Sequence, residues 1–233
     1  MITAELISAM GSDTTVCNAA RVSNEKLSEV EQDGTELIDR QLTERDKNLI
    51  IYLAKHNHFT PFTHCMITMR ETVPIFVARQ RFKHTVGFSY NEISRRYVKD
   101  TPQFYDPPFF RKAAPSIKQG SLSEPLDKQY YSKRIYDNLM LEVEHTYNEL
   151  IREGVAPEQA RMVLPMSTLT SYFVTGSLSA FARAYNLRSD SHAQKEIQDL
   201  ALQWDLICAS LYPVSWLHLT QAYKETVVAP EGF

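Results

Sequence analysis

No stretch of apolar residues in this chain approaches the roughly 20 needed to cross a bilayer, so no membrane-spanning helix is expected. The first residues, Met1-Ile2-Thr3-Ala4-Glu5-Leu6, lack the basic leading segment and apolar core of a signal peptide. The default location is then the cytoplasm, or a host cytoplasm for a viral gene. Cysteine is sparse. Cys17, Cys65 and Cys208 are odd in number, far apart, and outside any Cys-x-x-Cys or metal-ligand spacing. No metal site is expected, and a buried reduced thiol is the ordinary state of such residues. An excess of positive charge is missing too. With 25 Lys and Arg against 28 Asp and Glu, the formal charge is -3. That excludes the broad basic surface needed for nonspecific binding to duplex nucleic acid. No internal repeat or low-complexity tract is visible.

What is present is enough apolar material for a full core: 43% hydrophobic over 233 residues, which suits one domain spanning residues 1–233. Residues 1–24 read as a strand and a loop, with Gly11-Ser12-Asp13 as a turn signal. Residues 24–42 are polar and acidic, a loop with some helix. Thr43 to Asp46 opens a helix running to about His56, its apolar Leu49, Ile50, Leu53 and Ala54 at helical spacing. A loop follows at 56–61, then a strand over 64–72, where Cys65, Ile67 and Met69 alternate with polar residues. Pro74 starts a helix over 75–83, and 93–98 reads as a short strand. Residues 100–126 hold five of the eleven prolines and read as an irregular loop. Asp127 to Glu153 is a long amphipathic helix closed by Gly154, with Tyr130, Tyr131, Tyr136 and Tyr147 as packing and rim residues. A short helix from Pro157 to near Pro165, a strand over 167–175, and helices over Ser177–Leu187 and His192–Leu211 complete the pattern, the last broken by Pro213. The fold class is α+β, helix-rich, with a small, mostly antiparallel sheet.

Against the acidic background, residues 79–97 form a cationic island. Arg79, Arg81, Lys83, Arg95 and Arg96 face a single Glu92, among hydroxyls at Thr85, Ser89 and Ser94. Guanidinium forks and hydroxyls suit phosphate. A solvated basic face would explain the charges alone, but Phe82, Phe88, Tyr90, Ile93 and Tyr97 interleave with them, which draws the segment into the fold. His56 and His58 lack a companion carboxylate or thiol and read as a helix C-terminus. Downstream, Arg161, Arg183 and Arg188 lie near helix ends. Asp190 or Ser191 can cap the next helix, whereas Arg188 has no such local reason. Ser94 lacks a base with an orienting carboxylate behind it, so a phosphate contact suits it better than a nucleophile's role.

These residues carry a resemblance. Ser89-Tyr90-Asn91-Glu92-Ile93-Ser94-Arg95-Arg96-Tyr97, the approach Pro74-Ile75-Phe76-Val77-Ala78-Arg79-Gln80, the segments His58–His64 and Arg161–Pro165, and Asn186–Gln194 match, in order, the flavin-dependent thymidylate synthases. The family signature is Arg-His-Arg, seven residues, then Ser. This chain has Lys83-His84-Thr85, with eight residues before Ser94. Two guanidinium forks are therefore replaced, and a lysine does not bind bidentately.

The resemblance implies methylation of dUMP to dTMP. Methylenetetrahydrofolate would supply the carbon, FAD would carry the hydride, and NADPH would reduce the flavin. It places Gln80, Arg81, Lys83, Glu92, Ile93, Ser94, Arg95, Arg96, Arg161 and Arg188 in the dUMP site; Arg81 would also make up for the lost flavin-binding forks if it turned toward the same phosphate. Arg188 would face the uracil as the catalytic group. His58, Thr60, Lys83, His84, Thr85, Glu92, Ser177, Ser179 and Arg183 would lie along FAD; at Ser177 to Ser179 relatives often have Asn and Arg. The family forms homotetramers with sites built from several subunits. Two rivals stand beside this reading: a related enzyme making another pyrimidine, such as a hydroxymethylated one, and a nucleotide-binding homologue without catalysis.

Overall fold

Two alternating strands form the centre of the molecule. The computed structural model describes residues 1–22, 42–114 and 121–227. Strand β2 (Met66–Pro74) buries Ile67, Met69, Glu71 and Val73, and β6 (Leu169–Ser177) buries Thr170, Tyr172 and Val174. They pair antiparallel from Met66↔Ser177 to Pro74↔Leu169. The period of two thus sends one face of each strand inward. β1 (Thr3–Met10) lies outside β2, and β3 (Phe88–Glu92) outside β6, giving an antiparallel sheet of order β1-β2-β6-β3. A separate two-stranded ribbon joins β4 (Arg111–Ala113) and β5 (Ser121–Pro125).

The helices are α1 (Asp13–Arg21), α2 (Glu44–Lys55), α3 (Ile75–Arg81), α4 (Gln129–Arg152), α5 (Pro157–Ala160), α6 (Leu178–Arg188), α7 (Lys195–Leu211) and α8 (Pro213–Val227). Local chemistry fixes their starts. Thr43 and Asp46 form a reciprocal capping box on α2. Asn57, at φ 56, closes the same helix in the left-handed conformation that Asn tolerates. Pro74 supplies the extended entry to α3, and the Ser177 hydroxyl accepts from the Ala180 amide at the start of α6. The core gathers Ile67, Met69, Val77, Phe181, Leu200 and Trp204 between the sheet and α3, α6 and α7.

Several expectations are corrected. Residues 13–21 are helical, started by Ser12 with Thr15 in a capping box, where a loop was expected. The strand expected over 93–98 lies earlier, at 88–92, and 95–97 form a turn. The proline-rich stretch is not wholly irregular, since β4 and β5 occupy part of it. The cap of α7 is Gln194; Asp190 instead accepts from the His192 amide at 2.8 Å. Pro213 breaks α7 but also begins α8, as proline can at a first turn. Of the four α4 tyrosines, Tyr147 is fully buried, while Tyr130 and Tyr131 are exposed. The loop expected over 24–42 falls outside the described residues except for Leu42.

Candidate active site

The loop between α3 and β3 is pressed onto the start of α6 by two glycines. Gly87 has φ +79, and a Cβ there would meet the Ala180 side chain at 2.9 Å. A Cβ on Gly176 would lie 2.4 Å from the Phe88 ring. Only glycine permits both approaches. They bring His84 to the C-terminal end of α6, where the Arg188 Nε donates to His84 Nε2 at 2.8 Å. A second Arg188 nitrogen reaches the Gln80 carbonyl at 3.4 Å. The Gln80 amide donates to Gln194 at 2.6 Å, Gln194 donates to Glu196 at 2.9 Å, and Glu196 pairs with Arg111 at 2.8 Å. A cavity of about 410 Å³ opens here, lined by Gln80, Arg111, Ser121, Arg188, His192 and Gln194 among others.

Electrostatics keep His84 neutral. Burial first, then the Arg188, Arg81 and Arg183 guanidiniums, depress its pKa to about 4. A neutral imidazole accepts at Nε2, as this geometry requires. Arg188 has no carboxylate partner among the described residues, and burial followed by the nearby Arg81 charge lowers its own pKa.

A second cavity, of about 330 Å³, gathers Glu92, Ile93, Ser94, Arg95 and Arg161 with Ile75, Leu164 and Thr170. Thr170 donates to Glu92 at 2.6 Å, the Arg95 guanidinium to the Asp100 carbonyl at 2.9 Å, and Arg161 to the Glu158 carbonyl at 3.2 Å. Arg96 is exposed beside Glu158, at 3.3 Å, and is not part of the cavity lining. The anticipated nucleotide residues that line a cavity therefore fall into two groups. Gln80 and Arg188 line one cavity; Glu92 to Arg95 and Arg161 line the other. The segments bearing His84 and Ser94 leave opposite ends of β3, roughly 14 Å apart at about 3.4 Å per residue.

The residues expected along the flavin are mixed in their availability. Lys83, Thr85 and Arg183 are exposed around one loop, and neither cation has a carboxylate partner among the described residues. Arg183 donates to the Val86 carbonyl, which holds it against that loop. This donor set fits the phosphates of a dinucleotide. His58 and Thr60 are exposed after α2, with the His58 ring 5.8 Å from Tyr52. Ser179 is partly buried, and the Ser177 hydroxyl is engaged as the α6 cap.

Arg81 requires a correction. It is fully buried and paired with the equally buried Glu71 at 3.1 Å, so it cannot turn toward a phosphate. Continuing the buried alternation Ile67, Met69 one step further reaches Glu71, and a buried carboxylate demands a cation; that signal was present in the chain. Arg111 and Glu196 were also missed, and the proline-rich segment bearing Arg111 gives no periodic signal. All three cysteines are fully buried. Burial raises the Cys17 and Cys65 thiols to about 12 and pushes Cys208 well above its ordinary value, so none offers a thiolate.

Residues 5–214 match the family model described as thymidylate synthase complementing protein. A flavin-dependent thymidylate synthase of Thermosipho africanus is 40% identical over 200 residues, covering 84% of this chain and 81% of that protein. One from Kosmotoga olearia is 34% identical over 229 residues, covering 97% and 94%. Among solved structures, the UMP/dUMP methylase PolB of Streptomyces cacaoi, bound with 5-Br dUMP, superposes with a TM-score of 0.80 at 30% identity over 95% of each chain. The sequence match and the shared architecture agree over most of the length. This chain belongs to the flavin-dependent thymidylate synthase family.

Proposed function

We propose that this protein reductively methylates dUMP to dTMP, with 5,10-methylenetetrahydrofolate as carbon donor, FAD as hydride carrier and NADPH as reductant. The observation that carries the reading is Arg188: a half-buried guanidinium with no carboxylate partner among the described residues, held by a neutral imidazole at the edge of a cavity. Uracil C5 must act as a carbon nucleophile, and no thiolate is available to activate it. A fixed cation at the ring edge stabilises negative charge on N3 and the adjacent carbonyl oxygens, enriching C5. Arg161, Arg95 and Ser94 would hold the phosphate, and Glu92 the sugar. Arg96 would join them once released from Glu158, to which it is bound only through an exposed pair. Lys83, Thr85 and Arg183, with His58 and Thr60, would hold the flavin. FAD, once bound and reduced by NADPH, would supply the hydride that completes the methyl group.

The split of the nucleotide residues between two cavities supports an active site completed by a second copy, one copy giving Arg188 and Gln80 and another Glu92 to Arg95 and Arg161. Exposed Tyr131, Ile135 and Leu139 form a stripe at four-residue spacing on α4, a surface that fits association of copies into a homotetramer. The methylase description of the structural neighbour favours methylation over hydroxymethylation or a purely binding role. Purified protein given FAD, NADPH, methylenetetrahydrofolate and dUMP should release dTMP. Release of a hydroxymethylated nucleotide, or of no product by flavin-loaded protein, overturns the reading.

A further inference from the structure

We propose that Tyr90, carried on the buried Glu71–Arg81 ion pair, is a positioning residue for Arg188 and acts through His84. The starting point is an ion pair with no exposure on either side chain, in the middle of the apolar core. Such a pair is a poor source of net stability compared with apolar residues of similar volume. It is nevertheless fully furnished. Besides Arg81, Glu71 accepts from the Tyr172 hydroxyl at 2.6 Å and the Trp204 indole at 2.9 Å. The Arg81 guanidinium lies 4.3 Å from the Phe88 ring centre and 4.5 Å from that of Trp204.

The remaining guanidinium arm points away from Glu71. Its Nη1 donates to the Tyr90 hydroxyl at 2.7 Å. Having accepted there, Tyr90 directs its own proton to the His84 carbonyl at 2.7 Å, a shorter contact than the 3.3 Å to the Arg81 carbonyl. Burial raises the Tyr90 phenol to about 12, so the proton stays on the oxygen. His84 is thus fixed by its backbone, and its ring is the acceptor for Arg188. Among the described residues, Arg188's other hydrogen-bond partner is the Gln80 carbonyl, next to Arg81 in the chain. The aim of Arg188 therefore depends on a run of hydrogen bonds that ends in the core. Phe82, 5.0 Å from the Tyr90 ring, and Tyr172, 6.1 Å from it, keep that ring from rotating away.

The catalytic part of this inference rests on dUMP methylation. Tyr90→Phe removes one oxygen and keeps the ring packing. It should lower kcat for dUMP about tenfold, the scale of one lost hydrogen bond. In a His84→Ala background the same replacement should change kcat by less than about twofold, because the path is already cut. An unchanged kcat, or equal losses in both backgrounds, overturns the inference. Wild-type dTMP formation in the same assay separates this failure from failure of the functional reading. A second measurement needs no substrate. Nitrogen NMR of histidine-labelled wild-type protein at neutral pH should show His84 protonated at Nδ1 and bare at Nε2; a proton on Nε2 overturns the inference. In Tyr90→Phe the His84 titration should rise from about 4 toward the ordinary imidazole value, and an unmoved titration also counts against a positioning role.

Discussion

A guanidinium can polarise a bound ring only if no closer anion has neutralised it first. Among the described residues Arg188 meets that condition, because its partners there are an imidazole and a carbonyl. Arg188→Ala should depress dTMP formation about 10²-fold or more, the scale for losing one preorganised donor, while bound flavin absorbance stays near the wild-type level. His84 gives a second residue-level test, in stability. Its folded pKa is about 4, below its ordinary value of 6.5. Between those values the unfolded chain binds more protons, so stability is full above about pH 6.5 and falls as pH drops toward 4. Urea melts across that window should show less pH dependence in His84→Gln than in wild type. The sequence located His84 and Arg188 through motif order alone, but not their contact, which spans 104 residues of chain. Arg81 was misassigned for a related reason: charge spacing distinguishes a basic island from a solvated face, yet not an outward cation from one turned inward to Glu71.

Ser177, expected along the flavin, also has a role at the end of an element. Its hydroxyl caps α6, the helix that carries both Arg183 and Arg188. Ser177→Ala should cost about 1 kcal/mol in denaturant unfolding, whereas Ser177→Asp, which can still cap, should cost little. A loss of flavin affinity in both variants at unchanged stability would place Ser177 among the flavin contacts as well. Elements with strong local signals were legible: α2 through Thr43 and Asp46, α3 through Pro74, and β2 and β6 through alternation and β-branched residues. Elements built by context were not. Helix α1 has only nine residues and lies behind a Gly-Ser-Asp turn. Strand β3 exists where its ladder with β6 exists, from Phe88↔Gly176 to Glu92↔Tyr172. That register depends on the close approach at Gly176, which no window of sequence around residue 93 contains.

At the scale of the whole molecule, the distribution of nucleotide residues between two cavities has a direct test. Arg188→Ala and Arg161→Ala proteins should each be nearly inactive alone. If one copy gives Arg188 and another Arg161, co-refolding the two variants should restore about a quarter of wild-type activity, the fraction of sites drawing both intact halves at random. No restoration in a mixed assembly would place both arginines within one copy's site. The Glu71–Arg81 pair carries a consequence of another kind, for descent rather than for chemistry. Changing either residue alone strands a buried charge, at about 3–5 kcal/mol, against a total stability of about 5–15 kcal/mol for an ordinary domain. Changing both to apolar residues of similar volume can be nearly neutral. The neutral destination is thus separated from this chain by intermediates that have lost a large share of their stability, and the two positions, ten apart in sequence, should pass from ancestor to descendant as a single inherited character.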